Sequence, residues 1–496
     1  MIGQQTTVNG GRVLLVAASL LAALPSSRLA AQGAAFDRSK APAVAAPPAF
    51  TMPRVQTAKL ANGITLDLVQ MDELPLVEVD LMIRSAGARA DGVNGAGLAT
   101  FTAGMLDEGA GTRDALGVAS QAAYLGAVLS TGADWDYTEI ELSSPKRTLE
   151  QALDLMADVV LRPQFKGTEV QKQRDLRLAS ILAGKSEPGT VNGLVLNSLV
   201  FPEGHPFHRP AGGDSASTAG LDSATVRGFY ARNYLPDHVT IVVTGNITMA
   251  EAQRLLTARF GGWRKNGASA PELPTAAQLP AAVDRSTKIF LVDKPGAAQS
   301  VIALARPGVE RANPDYYALQ VMNTILGGSF SSRLNQNLRE TKGWTYGAGS
   351  GFAYRPIPGA FRASASVRTD VTDSSLVEFV KEITRMRDSL IGEDELARAT
   401  AYLALGLPSD FETTGQVADQ VGELLRFGLP FTYWNGYVQN VMKVTRADVQ
   451  RVAKKYLDTS HMTIVIVGDL AKIRPGIEAT KIGPIEVRTV EGKVVE

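Results

Sequence analysis

The chain has 496 residues, 45% of them apolar and 20% charged, a globular composition that excludes a mainly disordered polypeptide. Lys plus Arg and Asp plus Glu both number 50, so there is no basic surplus of the kind that marks a nucleic-acid partner. Cysteine is absent and the only histidines are His205, His208, His238 and His461. Disulfides, thiolate metal sites and cysteine nucleophiles are thereby removed, and little is left for histidine-based zinc chemistry.

In chain order, Arg12 precedes an uncharged apolar run from Val13 to Leu24 that Pro25, Ser26, Ser27 and Arg28 interrupt, with small residues following at Ala30, Ala31, Gly33 and Ala34. That pattern predicts a cleavable signal peptide over 1–34 and a periplasmic or secreted protein. No later stretch approaches the roughly 18 uninterrupted apolar residues of a membrane span, so no stable membrane insertion is expected. Residues 35–54 are rich in Ala and Pro and read as a flexible lead-in. Asn62-Gly63 signals a turn into an alternating strand, Ile64 to Leu68; Val77 to Leu81 and Tyr137 to Leu142 alternate likewise. Leu149, Leu153, Met156 and Val160 have helical spacing, closed by Pro163. One-sided strands beside amphipathic helices predict an α+β fold with a mostly antiparallel sheet, and argue against a doubly wound nucleotide fold. A second Pro- and Ala-rich stretch, 266–285, reads as a linker between domains at 55–265 and 286–475, with 476–496 as a C-terminal tail.

The two halves resemble each other. Tyr234-Leu235, Val239 to Val243 and Gly245-Asn246-Ile247 recur as Tyr456-Leu457, Met462 to Val467 and Gly468-Asp469-Leu470, offset by 222 residues at the tyrosines and 223 at the glycines. Each copy follows a helix-start signal, Asp222 or Thr445. A duplicated domain is expected.

Phosphate-loop readings of Gly95-Ala96-Gly97, Gly327-Gly328 and Gly347-Ala348-Gly349-Ser350-Gly351 fail for lack of a Walker pattern or a dinucleotide-site context, and turns or close packing fit better. His205-Pro206-Phe207-His208 lies in a Pro-flanked loop without a nearby carboxylate and reads as a structural pair.

Asn62-Gly63 before the first strand, Gly97-Leu98-Ala99 opening a helix, and the Tyr-Leu…Gly-Asp-Leu ending form one layout. So do Leu326-Gly327-Gly328, Ser331-Ser332-Arg333-Leu334, Leu338-Arg339-Glu340 and Gly343-Trp344-Thr345-Tyr346. Together they resemble the insulinase/pitrilysin-type zinc peptidases over roughly Val55 to Leu470, in the branch of the mitochondrial processing peptidases and small bacterial two-chain relatives. The resemblance implies two homologous peptidase-like domains. It also implies an H-x-x-E-H motif on the helix after the first hairpin, where i, i+3 and i+4 share one face. The aligned residues are Thr100, Ala103 and Gly104, and the place of the third ligand, a glutamate further on, falls at Ser180 or Ala179. These side chains cannot hold zinc or activate its water, so no metal or other cofactor is expected in this chain, which alone is not expected to be an enzyme.

What the resemblance leaves is Arg339 and Tyr346. In the family such a pair lies across the cavity from zinc, grips the substrate backbone and stabilises the oxyanion, a role suited to directed N–H and O–H donors. The expected function is a non-zinc subunit of a two-chain periplasmic zinc metallopeptidase. A homologous H-x-x-E-H chain would supply zinc in a heterodimer or higher assembly, and an unfolded peptide would be the substrate. The alternative is a catalytically inactive peptide-binding or scaffold protein of the same fold.

Overall fold

The computed structural model describes residues 47–495, apart from 48, 93, 94, 266 and 268. The expected signal peptide and most of the lead-in lie outside the described residues. Asn62-Gly63 makes its turn with Gly63 at φ +98°, where a side chain would be strained. It joins β1 (Gln56–Lys59) to β2 (Thr65–Gln70). There follow β3 (Leu76–Ile83), a small hairpin of β4 (Gly109–Ala110) and β5 (Arg113–Asp114), then β6 (Val128–Ala133), β7 (Thr138–Pro145) and β8 (Val239–Gly245). The first large sheet has the order β1-β2-β8-β3-β7-β6, antiparallel except for the β2–β8 pair.

The second half repeats this with β9 (Lys288–Asp293), β10 (Gln299–Pro307), β11 (Thr345–Phe352), β12 (Ala360–Arg368), β13 (Thr463–Gly468) and β14 (Ile485–Arg488). Its order is β11-β12-β10-β13-β9-β14, with β13 and β14 both parallel to β9. Strands β2-β8-β3-β7-β6 therefore correspond one to one with β9-β13-β10-β12-β11, the duplication read from the repeated endings. The expected helix starts occur: Asp222 caps Ser223–Asn233 and Thr445 caps Arg446–Tyr456, each accepting a backbone N–H three residues on. Only the outermost strand differs, β1 entering from the N-terminal side and β14 from the C-terminal side. Within the stretch expected as a tail, Ile485 to Arg488 thus form an edge strand, because they find open backbone partners along β9.

The helices of the first half include α1 (Leu98–Gly104), α2 (Ala115–Leu125), α3 (Leu149–Leu161), α4 (Gly167–Gly184) and α5 (Pro188–Val200). Val77, Val79, Leu81 and Ile83 of β3 share a core with Phe101 of α1 and Leu153, Met156 and Val160 of α3. The opposite faces are covered by exchange between the halves. α5 lays Val191, Val195 and Leu199 on Phe290, Val292, Ala303 and Val465 of the second sheet. The helix Thr414–Phe427 lays Val417, Ala418, Val421 and Leu424 in one core with Val69, Met82 and Val242 of the first. β2 is consequently buried on both faces rather than half-buried as its alternation suggests, and Asp67, 1% exposed, is held by the Thr57 hydroxyl at 2.6 Å.

Candidate functional site

α1 begins where Gly97, at φ +90°, approaches the Gly212 carbonyl so closely that a Cβ would collide with it. Its first N–H groups are capped from a distance: Gly97 N–H donates to Asp91 Oδ2 (2.8 Å) and Ala99 N–H to Asp91 Oδ1 (2.7 Å). Burial pushes the Asp91 carboxyl up to about 7, against those backbone donors and the nearby Arg177 charge. One turn along, Thr100, Ala103 and Gly104 stand at the three motif positions, and the Thr100 hydroxyl donates to Gly97 O (3.0 Å).

The guanidinium of Arg177 reaches this spot from α4. Its Nη1 donates to Thr100 Oγ1 (3.1 Å) and to the carbonyls of Gly97 (3.0 Å) and Gly212 (3.4 Å), and the group stands 4.9 Å from the centre of the Phe101 ring. A fixed positive charge therefore touches the first motif position, while Ala179 and Ser180 are exposed further along α4. Thr, Ala, Gly and Ser beside a guanidinium do not fit zinc: they offer no anionic or imidazole donor, and the neighbouring charge repels a cation. Among the described residues, no group of three or more His, Asp or Glu side chains is arranged to hold a metal. The sequence reading missed Arg177; its signal was a cation one turn before Ser180 on the same helix.

A cavity of about 260 Å³ adjoins the start of α1, lined among others by Arg89, Asp91, Trp135, His205 and His208. The two histidines serve the loop: His205 Nδ1 accepts from Phe207 N–H (3.1 Å) with its ring stacked on Phe201, and His208 Nδ1 bonds Phe201 O (2.8 Å). Burial, with Arg89 and His208 adding to it, lowers the His205 pKa to about 4, so the ring is neutral at physiological pH.

In the second half, Leu334 and Leu338 are fully buried and anchor a helical segment whose last turns, Gln336–Thr341, widen into π geometry. Arg339 sits in that wide turn, its guanidinium 4.7 Å from the Phe330 ring centre and its Nε 3.4 Å from Glu340 Oε1. The chain reverses at Gly343 (φ +64°), where Trp344 N–H donates to Leu338 O, and enters β11. Between Thr345 and Ala348 the pairing of β11 with β12 slips, and within this irregularity Tyr346 is 88% exposed. The Arg339 segment and β11 pack together, but no hydrogen bond joins Arg339 to Tyr346 among the described residues. Arg333 is a different case: 9% exposed, it grips Glu395 through two 2.8 Å bonds that hold the glutamate down to about 2. Gly327 packs a Cβ-excluding distance from Ser350 N, and Gly347 to Gly351 lie within β11, so these glycines serve close packing and the strand.

The family model for insulinase (peptidase family M16) matches residues 70–200, and the model described as the peptidase M16 inactive domain matches 220–403. The chain belongs to the insulinase family. Curated relatives include an uncharacterized zinc protease of Mycobacterium leprae (strain TN), 26% identical over 74% of this chain and 80% of its own length. Another, from Streptomyces coelicolor, is 26% identical over 71% of this chain and 76% of its own. Among solved structures, the peptidase M16 inactive domain from Pseudomonas fluorescens superposes with a TM-score of 0.76 at 26% identity, covering 84% of this chain and 98% of that one. The full periplasmic protease PqqL from Escherichia coli shares the fold at a TM-score of 0.68 and 16% identity, and the match takes up 88% of this chain but 51% of that chain. Within this family fold, no helix of the described residues is long and apolar enough to cross a membrane.

Proposed function

We propose that this chain is the non-zinc subunit of a two-chain periplasmic zinc metallopeptidase, with a homologous partner carrying H-x-x-E-H and the metal. Arg339 and Tyr346 bind the backbone of an unfolded peptide and stabilise the developing oxyanion with a guanidinium N–H and a phenol O–H. The observation that carries this reading is the opposite fate of the two half-sites. Thr100 is tied to a guanidinium at 3.1 Å in place of metal chemistry, whereas Tyr346 stands 88% exposed on its strand. A tyrosine kept only for packing would be buried. The half-length match to the periplasmic protease supports pairing with a second unit of this kind. Outer strands β6 and β11 offer backbone edges on which an extended peptide can be held.

A peptide-holding or scaffold role without catalysis is the second reading. It is favoured by the inactive-domain match over 220–403 and by the contacts that already engage Arg339, with Glu340 and Phe330. Affinity capture of the tagged chain from its envelope fraction, with mass spectrometry of the co-purifying chains, is the first test. Arg339→Ala and Tyr346→Phe should each lower peptide cleavage by the captured complex about 10²–10³-fold and leave its assembly intact. Unchanged turnover in both variants would remove the catalytic role and leave the second reading.

A further inference from the structure

The seam between the halves holds a second cavity, of about 160 Å³, that the peptide chemistry above does not use. It lies between the end of β3, the residues just before β7, Leu273 of the linker and the end of helix Thr414–Phe427. Arg84 follows β3 in the phase of Met82, its N–H donating to His238 O (3.2 Å), and Arg426 comes from the covering helix. Guanidinium groups from both halves therefore line one space, with Arg89 among them, and Met82, Tyr137 and Leu425 give it an apolar wall.

These arginines are short of acceptors. Arg89, its side chain 6% exposed, donates from Nη1 to Asp136 Oδ1 (2.9 Å) and from Nη2 to Pro274 O (2.6 Å), while its buried Nε has no partner. Arg426 stands 4.5 Å from the centre of the Tyr137 ring, and its buried Nε is also without a partner. The one carboxylate it approaches among the described residues is Asp134, at 3.9 Å. Burial lowers the Arg426 pKa against the pull of Asp134 and Asp136, as it does for a charge without a full counter-ion. Arg84 is exposed and forms no ion pair among the described residues. Arg355 takes the remaining reach of the two aspartates, 3.1 Å from Asp134 and 3.8 Å from Asp136. Four guanidinium groups thus share two carboxylates. Glu139, opposite Met82 on β7, is pushed up to about 7 by burial and by the Glu141 and Asp419 charges, and pairs with none of the four.

A half-buried guanidinium without its counter-ion is costly, and a carboxylate is the acceptor that matches its fork. Inorganic phosphate would present no apolar body to Met82, Tyr137 and Leu425, whereas a cavity of roughly 150 Å³ takes a benzene-sized group. We propose that the seam cavity binds a compact hydrophobic monocarboxylate, its carboxylate between the guanidinium groups of Arg84 and Arg426 and its apolar body against Met82, Tyr137 and Leu425. Arg84 belongs to the first half and Arg426 to the second, so the ligand ties helix Thr414–Phe427 to the sheet it covers and stabilises the joined halves by mass action. The site is independent of the roles given to Arg339 and Tyr346.

The test is isothermal titration calorimetry and thermal melting of the full chain with benzoate, its neutral isostere benzamide, inorganic phosphate and a tripeptide acid ending in Phe. Benzoate should bind and raise the melting temperature in step with its concentration. Benzamide, which lacks the charge, should bind at least about 10-fold more weakly. Arg84→Met removes an exposed, unpaired cation and so leaves the fold intact; it should weaken benzoate about 10-fold or more, and Arg426→Met should do the same. Equal affinity for benzoate and benzamide, or undiminished binding by both variants, overturns the arginine assignment. Phosphate binding as tightly as benzoate overturns the apolar body, and tighter binding of the peptide acid overturns a free acid as the ligand. Failure of every probe to bind overturns the site itself.

Discussion

Restoring the motif tests whether Arg177 is what closes the first half-site to metal. Thr100→His, Ala103→Glu, Gly104→His and Ser180→Glu would return the donors that the family pattern requires, and the question is what the guanidinium then costs. Held about 5 Å from a divalent ion at an effective dielectric constant near 20, it would oppose binding by about 7 kcal/mol. Swinging it into solvent is cheaper. With Thr100 replaced, the side chain gives up its bonds to Gly97 O and Gly212 O and its place by the Phe101 ring, about 3 kcal/mol in all. The smaller figure governs, so the restored variant should bind zinc about 10²-fold more weakly than the same variant carrying Arg177→Met. Competition against a chromophoric zinc chelator measures the ratio directly. Equal affinities would show that Arg177 contributes nothing to exclusion, and the loss of ligands alone would then account for it.

Glu395→Gln should destabilise the chain by about 3 kcal/mol in urea titration at neutral pH, since it strands the buried Arg333 guanidinium. Because the folded pKa of Glu395 is depressed to about 2, the wild-type advantage should be complete above its unfolded value and fade as pH falls from there towards 2. Separate expression of 55–265 and 286–475 should give aggregated or molten halves, since each loses the helix that covers its second sheet face, and co-expression should rescue both. Sharp, independent melting of either half alone would contradict that exchange.

Strand alternation and the repeated endings made the duplication legible, because a half-buried strand and its following turn leave a local imprint. Alternation shows which residues share a face but not what lies against it. Asp67, Glu78 and Asp80 occupy the polar phase of their strands, as solvent-facing residues would, yet helix Thr414–Phe427 comes from more than 330 residues away to cover part of that face. The same limit hides the partner of α5, whose Val191, Val195 and Leu199 pack on the other half. β14 was illegible for another reason: a four-residue edge strand carries too little pattern to separate from a polar tail. At the site, Thr100, Ala103 and Gly104 could be read one by one, because a motif is a local spacing. Arg177 could not, since its meaning depends on α4 lying against α1.

The chemistry of Arg177 also explains why the space beside Thr100 is filled. With no imidazole or carboxylate at the motif positions of α1, Arg177 donates to the Gly212 carbonyl and to the Thr100 hydroxyl oxygen, and adds a bond to Gly97 O, which already accepts from Thr100 and Phe101. A buried carbonyl without a partner costs about as much as a lost hydrogen bond. A guanidinium meets these acceptors and keeps a planar face for the ring, while Asp91 across the helix start offsets its charge. Lysine would bring a point charge without the planar fork. The guanidinium that stands against the first motif position therefore also stabilises the start of the helix that carries it.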